Sequence, residues 1–259
     1  MIGKELIEAA VSRRLISERP LGSFLSGGYD STVVTAYMAK LMKEKVQTYS
    51  IGFHSAQFNE AHHAKQVATF LGTNHHEEIL SPDPALIVEK ISHVLDQPFA
   101  DSSIVPTYLL AKFARENLIV ALGGDGGDEV FGGYDRYLAT PVMQKMNPFL
   151  SLARGGLNLL GKQSFGNTRK INRVGSQLSP KSSLAARYSS ILSLTQPEEL
   201  STLLNSTIYS NAAETSYVSQ FAKGKVSSFD RMIRSDFAAY LPGDLLVKVD
   251  IATMANSLE

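Results

Sequence analysis

Residues 21–35 read LGSFLSGGYDSTVVT. A short apolar run, Phe24-Leu25, breaks at Ser26-Gly27-Gly28-Tyr29-Asp30-Ser31, and helix-compatible sequence follows from Thr32 to Met42. Strand, glycine turn and helix in that order is the layout of a phosphate site. Gly27 and Gly28 carry no Cβ, so the backbone can take positive φ and approach an anion closely. Ser26, Ser31 and Thr32 offer hydroxyls, and the first helical turn aims unpaired N–H groups at the same spot. Asp30 would repel a bare phosphate; it makes sense with Mg²⁺ between carboxylate and phosphate oxygens. The bland alternative is a glycine turn before a helix, with Asp30 or Ser31 as N-cap.

The flanking sequence repeats one pattern. Lys4 to Leu15 has helical apolar spacing. Val46 to Phe53 (VQTYSIGF) alternates and is β-rich. Asn59 to Leu71 is helical and ends on Gly72 as a C-cap. His75 to Leu80 is a third strand, Ser81-Pro82-Asp83-Pro84 opens a helix to about Leu95, and Ile104 to Glu116 is helical. Leu118 to Leu122 (LIVAL) is the most apolar run and reads as a buried parallel strand. Strands alternating with helices imply right-handed crossovers and an α/β doubly wound parallel sheet, with ligands at the carboxyl ends of its strands.

Directly after LIVAL comes Gly123-Gly124-Asp125-Gly126-Gly127-Asp128-Glu129-Val130-Phe131-Gly132-Gly133-Tyr134. Six glycines in eleven residues are costly to order, so backbone is expected to pass close to a ligand there. Three carboxylates among them point to metal or proton chemistry, and Asp30 and Asp128 are expected to share one Mg²⁺.

Beyond about Thr140 the strand signal vanishes. The expected organisation is an α/β domain over 1–140 and a mainly helical remainder over 141–259. Residues 151–183 are rich in Gly, Ser, Asn, Lys and Arg and read as a connection whose basic residues (Lys162, Arg169, Lys170, Arg173, Lys181) are solvated. Ser182 to Leu194, Glu198 to Leu204 and Ser228 to Leu246 read as helices.

Composition narrows the function classes. The 259 residues are 44 % hydrophobic and 19 % charged, an ordinary globular mix. Lys+Arg and Asp+Glu are both 25, so net charge makes no case for nucleic acid. No apolar run approaches the ~18 residues of a membrane span, and with no signal-peptide h-region the default is cytoplasm. The absence of cysteine excludes disulfides, thiolate metal sites and a cysteine nucleophile within this sequence. His62-His63 and His75-His76 have the wrong spacing for a shared zinc site on a helix or strand.

SGGYDST resembles the pyrophosphate loop of the N-type ATP pyrophosphatases. Together with TYSIGF, PFADSSIVPTYLLA, GGDGGDEVFGGY and the C-terminal LLVKVDIATMANSLE, it resembles the synthetase domain of glutamine-dependent asparagine synthetases and their relatives. The resemblance covers most of Glu8 to Tyr137 and Tyr240 to Glu259. It implies an adenine nucleotide α-hydrolase-like sheet followed by a helical second half, ATP and Mg²⁺ as cofactors, and a small aspartate-like carboxylate substrate. It also implies ammonia from an N-terminal glutaminase domain absent here, and leaves a homodimer open. Carried across, Ser26, Gly27, Gly28, Asp30, Ser31 and Thr32 would hold pyrophosphate and metal. Leu25 and Ile51 would hold adenine, and Gly124 would lie beside the ribose or acyl adenylate. Asp128 would share the metal, and Asp125 would meet the reacting amine.

There are departures. Asp125 is one methylene shorter than the usual glutamate, which leaves the acceptor open. The family sequence continues past the SLE at Ser257-Leu258-Glu259 into an arginine, a PFLD segment and a lysine that steadies adenylation; that lysine is expected beyond Glu259, with the chain truncated there. A related amidotransferase, a β-lactam synthetase-like enzyme on another carboxylate and a non-catalytic nucleotide-binding fragment remain alternatives. Asn59-Glu60 lies on the ligand side, with an N-cap role competing at Asn59; Asp96 and Asp101 fall at a similar depth, where Asp101 could bind the acceptor's amino group or cap the Ile104 helix; Lys248 and Asp250 reach towards the acceptor cleft or make a structural contact.

Overall fold

A computed structural model describes residues 2–54, 60–80, 84–138, 184–193, 202, 204 and 226–259. Asn59, the basic residues of 162–181 and most of the helix expected over Glu198 to Leu204 lie outside them. The chain divides into two compact units, Met1–Gly127 with Pro242–Glu259, and Asp128–Leu241. The C-terminal stretch thus belongs with the α/β unit.

In the first unit α1 (Ile2–Arg14), β1 (Leu21–Phe24), α2 (Tyr29–Leu41), β2 (Gln47–Phe53), α3 (Ala61–Leu71) and β3 (Asn74–Leu80) follow in order. Then come α4 (Pro84–Ser92), α5 (Ile104–Ala114) and β4 (Val120–Leu122). The four strands form one parallel sheet in the order β3-β2-β1-β4. Gly72 ends α3 in the left-handed region at φ 67°, as a C-cap glycine does.

Each face of the sheet has its own core. Val11, Met38 and Val46 gather residues of α1 and α2 on one face. Tyr49, Ala111, Ala114, Leu118 and Leu258 gather α5 on the other. The LIVAL stretch is less buried than its composition predicts. Leu118 is covered, but Val120–Leu122 are only half-buried. The reason is position: β4 is the end strand, paired with β1 on one side. On its other side the backbone of Glu259 reaches it, donating to Ile119 O at 2.8 Å and accepting from Ala121 N at 2.8 Å.

β1 is followed by α2 and then β2 on one side, whereas β4 flanks β1 on the other. The strand order therefore reverses between β1 and β4, and the carboxyl ends of these two strands are where such a sheet binds its ligand. The loops that leave them are Ser26–Gly28 and Gly123–Gly126.

α9 (Leu246–Met254) is the last helix of this unit. The second unit contains all but the first residue of α6 (Gly127–Phe131), with α7 (Leu184–Leu192) and α8 (Ser228–Ser235). A π-helix, Asp236–Leu245, joins α8 to α9 and contains Pro242. The core of the second unit is Tyr137, Leu184, Tyr188 and Met232. At its centre Asp236 is fully buried. Its Oδ2 accepts from Arg136 Nη2 (2.8 Å), Tyr137 OH (2.7 Å) and Tyr188 OH (2.5 Å). Burial, then the hydrogen bond to Asp236, push both tyrosines above their ordinary pKa, so they act as neutral donors.

Leu118→Ala should lower stability by about 2–5 kcal/mol, because it empties a site covered by Tyr49 and the two alanines of α5. A guanidinium unfolding midpoint for variant and parent measures the difference.

Candidate active site

The loop after β1 is built by short polar side chains. Leu25 continues the ladder, donating to Tyr49 O at 2.9 Å, and its side chain is buried against Ala64 and Ala68 of α3. Any group it offers a ligand is therefore backbone. Ser26 and Ser31 hydroxyls meet at 3.0 Å, Ser31 Oγ donates to Gly28 O at 3.3 Å, and Gly28 N donates to Ser26 Oγ at 3.2 Å. Gly27 has φ 85°, and a Cβ there would lie 2.6 Å from His63 C and 2.7 Å from Ala64 N. Glycine is thus required twice over, by backbone conformation and by the approach of α3.

Neither Asp30 nor Ser31 caps α2. The N-cap is Gly28, with no side-chain cap bond, so the bland reading of this motif is not what the residues do. Below the loop, Thr35 Oγ1 donates to Ser31 O at 2.7 Å and meets Ser23 Oγ at 2.9 Å, fastening α2 to β1 through buried hydroxyls. The Thr32 hydroxyl is buried and has no partner among the described residues. Such a group carries a desolvation cost until something bonds to it.

The loop after β4 lies against this one. A Cβ on Gly124 would sit 2.6 Å from Ser31 N, and one on Gly127 would sit 2.5 and 2.6 Å from the Asp30 carboxylate oxygens. The two glycine-rich stretches, nearly a hundred residues apart in sequence, thus meet backbone to backbone at the first turn of α2. Gly126 takes φ 90° within that loop. Asp125 is exposed, with Oδ2 turned back over Gly123 at the end of β4. Ile51 is half-buried near the carboxyl end of β2. Asp128 opens the second unit; there its carboxylate closes on Gly133, while its carbonyl accepts from Gly132 N (2.8 Å) and Gly133 N (3.1 Å). Glu129 beside it is buried, with Oε1 accepting from Tyr134 OH at 2.6 Å and no partner on Oε2 among the described residues. Burial first, then Glu129, raises the Tyr134 pKa.

The histidines are otherwise engaged. His75 Nδ1 and Nε2 meet Thr48 Oγ1 (3.0 Å) and Ser50 Oγ (3.3 Å). Burial lowers its pKa, so it stays neutral. His76 stacks on Tyr49 at 4.7 Å and meets Gln47 Oε1 at 2.9 Å.

At the start of α5 a second polar cluster joins residues 147 positions apart. Lys248 Nζ donates to Asp101 Oδ2 at 3.1 Å and to Ser103 Oγ at 2.8 Å. Asp101 Oδ1 accepts from Ser103 N at 2.8 Å and Ser103 Oγ at 2.7 Å. Asp101 thus takes a backbone amide at the start of α5, in keeping with the capping role, and pairs with Lys248 through its other oxygen. Lys248 is 8 % exposed and makes the structural contact that the sequence left open.

The chain matches the asparagine synthase family model over residues 3–259. It belongs to the asparagine synthase family. Glutamine-hydrolysing asparagine synthetase 1 of Bacillus subtilis (strain 168) is 31 % identical over 99 % of this chain and 40 % of its own length. A putative glutamine-hydrolysing asparagine synthetase of Mycobacterium bovis is 30 % identical over 98 % of the chain and 39 % of its own. Putative glutamine-hydrolysing asparagine synthetase 2 of Methanocaldococcus jannaschii reaches 41 % over 52 % of the chain and 27 % of its own. The chain spans about two fifths of the length of the first two relatives. The family match and the parallel sheet agree with the synthetase-domain resemblance and with the α/β fold expected from it. Among the described residues no helix is long and apolar enough to cross a membrane.

Burial pushes the Asp101 carboxyl up, but the Ser103 hydroxyl and N–H and the Lys248 ammonium outweigh it, leaving its pKa below the ordinary 3.8. A depressed carboxyl stabilises the fold fully above its unfolded value and loses that contribution as pH falls through its folded value. Unfolding free energy should therefore drop below about pH 4. Asp101→Asn should flatten that part of the profile in denaturant titrations at stepped pH.

Proposed function

We propose that this protein is an ATP-dependent amide-forming synthetase that adenylates a substrate carboxylate, with aspartate as the acceptor. The observation that carries the reading is the meeting of the Ser26–Thr32 loop with Gly124 and Gly127, at the switch point between β1 and β4. The loop runs straight into the first turn of α2, and the amides at a helix N-terminus suit a pyrophosphate. The buried Thr32 hydroxyl, without a partner among the described residues, suits a phosphate oxygen. The names of the relatives support aspartate amidation.

In this reading Ser26, Gly27, Gly28, Ser31 and Thr32 bind the pyrophosphate moiety. Backbone groups at Leu25 and the side chain of Ile51 border adenine, and Gly124 borders the ribose. The substrate carboxylate attacks the α-phosphorus, the bond to the bridging oxygen breaks, and pyrophosphate leaves. Ammonia then adds to the acyl carbon and AMP departs. Asp125, exposed at the end of β4, accepts a proton from the incoming amine. Ammonia would come from a glutaminase domain elsewhere in the protein.

Asp30 offers hard oxygen donors beside Gly127 and fits magnesium; Asp128 enters as the second ligand on its place in the sequence pattern. When bound, the ion would neutralise charge on the pyrophosphate oxygens. The loop amides hold the same charge from the protein side.

The test is product analysis with ATP, aspartate and ammonium. AMP and pyrophosphate in equal amounts are expected, and Asp30→Asn should lower their rate by at least about a hundredfold. ADP and phosphate as products would contradict the mechanism.

A further inference from the structure

The Lys248–Asp101–Ser103 cluster lies on the same edge of the sheet as the two glycine loops, and chain direction shows why. α5 runs into β4, so its last turn is at the amino edge of the sheet and its first turn at the carboxyl edge. The end of α9 is tied to the end of α5: Arg115 Nε donates to Ser257 O at 2.9 Å, and Glu259 bridges to Ile119 and Ala121. α9 therefore runs alongside α5 in the same direction, and Lys248 in its first turn arrives beside Asp101 and Ser103. Ile251 and Ala252, one turn further on, lie with Ile104 and Val105 in a shared apolar cluster.

Counting donors and acceptors leaves two places open. An ammonium has three N–H groups, and Lys248 gives one to Asp101 and one to Ser103. A carboxylate has about four acceptor sites. Ser103 fills two on Oδ1, and Lys248 fills one on Oδ2. One donor site and one acceptor site remain among the described residues, on charged groups 3.1 Å apart. The Lys248 and Asp101 side chains keep 10 % and 21 % exposure, so the pair opens to solvent at its outer side. Arg115 and Asn256 already hold the end of α9 to α5, so that contact does not depend on this pair.

We propose that this pair reads the α-amino-acid end of the acceptor, Asp101 taking its ammonium and Lys248 its α-carboxylate, while the distal carboxylate is left for adenylation. The inference rests on the amide-forming reading above and deepens it: the acceptor is a zwitterion with a second carboxylate. Ser103 sets the spacing of the two charges and is a positioning residue.

The test is titration of the full-length chain with L-aspartate, succinate (no ammonium) and β-alanine (no α-carboxylate). It is run with Mg²⁺ and α,β-methylene ATP, which binds without transferring its adenylyl group. Aspartate should bind about tenfold or more tightly than either analogue. Asp101→Asn should weaken aspartate by about tenfold and leave succinate within about twofold. Lys248→Met should weaken aspartate equally and leave β-alanine within about twofold, with Lys248→Arg recovering part of the loss. Nucleotide affinity should stay the same in all three. Equal losses for all ligands, or none, would overturn the proposal, as would nucleotide binding without any aspartate binding. If the unmodified chain bound no nucleotide, the amide-forming reading itself would fall. The comparison of the three ligands on the unmodified chain decides the case even where a variant does not fold.

Discussion

Between the loop that leaves β1 and the loop that leaves β4 there is no room for a side-chain carbon. Gly124 lies against the Ser31 amide and Gly127 against the Asp30 carboxylate, and Gly27 is pressed by the backbone of α3. At Gly124 and Gly27 the obstacle is backbone, so those positions leave room only for hydrogen on Cα, while at Gly127 a side chain would displace the Asp30 carboxylate. Glycine costs entropy in any ordered segment. That cost is offset here by close approach of backbone donors, which is what an anionic ligand needs. The rest of the first unit serves this meeting. The parallel sheet puts β1 beside β4, the Ser23 and Thr35 hydroxyls with the Ser31 carbonyl fasten α2 beneath the loop, and α5 with Leu258 braces the opposite face.

The second unit depends on a different constraint. Asp236 is a fully buried charge, tolerable only because Arg136, Tyr137 and Tyr188 converge on it. Arg136 also lies over the ring of Tyr134, 3.6 Å from its centroid, and 4.8 Å from that of Tyr240. These contacts join α6's outgoing segment, α7 and the π-helix that follows α8. Removing one partner would leave an unpaired charge in the core, so the network fixes which helices assemble as well as how tightly.

Much of this was legible in the sequence because it is local. Strand alternation in VQTYSIGF, the Gly72 cap and the glycine pattern at 26–32 each report the backbone within a few residues, and β2, the α3 end and the loop follow from them. The LIVAL run misled on burial, since apolar composition says what a strand can hide and its place at the end of the sheet says what it does hide. Pairings between distant residues were not legible. Lys248 and Asp101 each stood out, but their ion pair spans 147 positions, and the Arg136–Asp236 pair spans 100. In isolation Asp101 reads as a cap or an amino-group binder and Lys248 as a structural contact without a named partner; only the parallel run of α5 and α9 makes them partners.

That the two glycine loops act as one nucleotide site is tested most directly by amide hydrogen exchange with and without Mg²⁺ and ATP. Peptides covering Ser26–Thr32 and Gly123–Gly127 should gain protection together, over the same range of ATP concentration, while the β3 edge strand stays unchanged. Protection confined to one loop, or spread over neither while ATP binds elsewhere, would contradict a shared site.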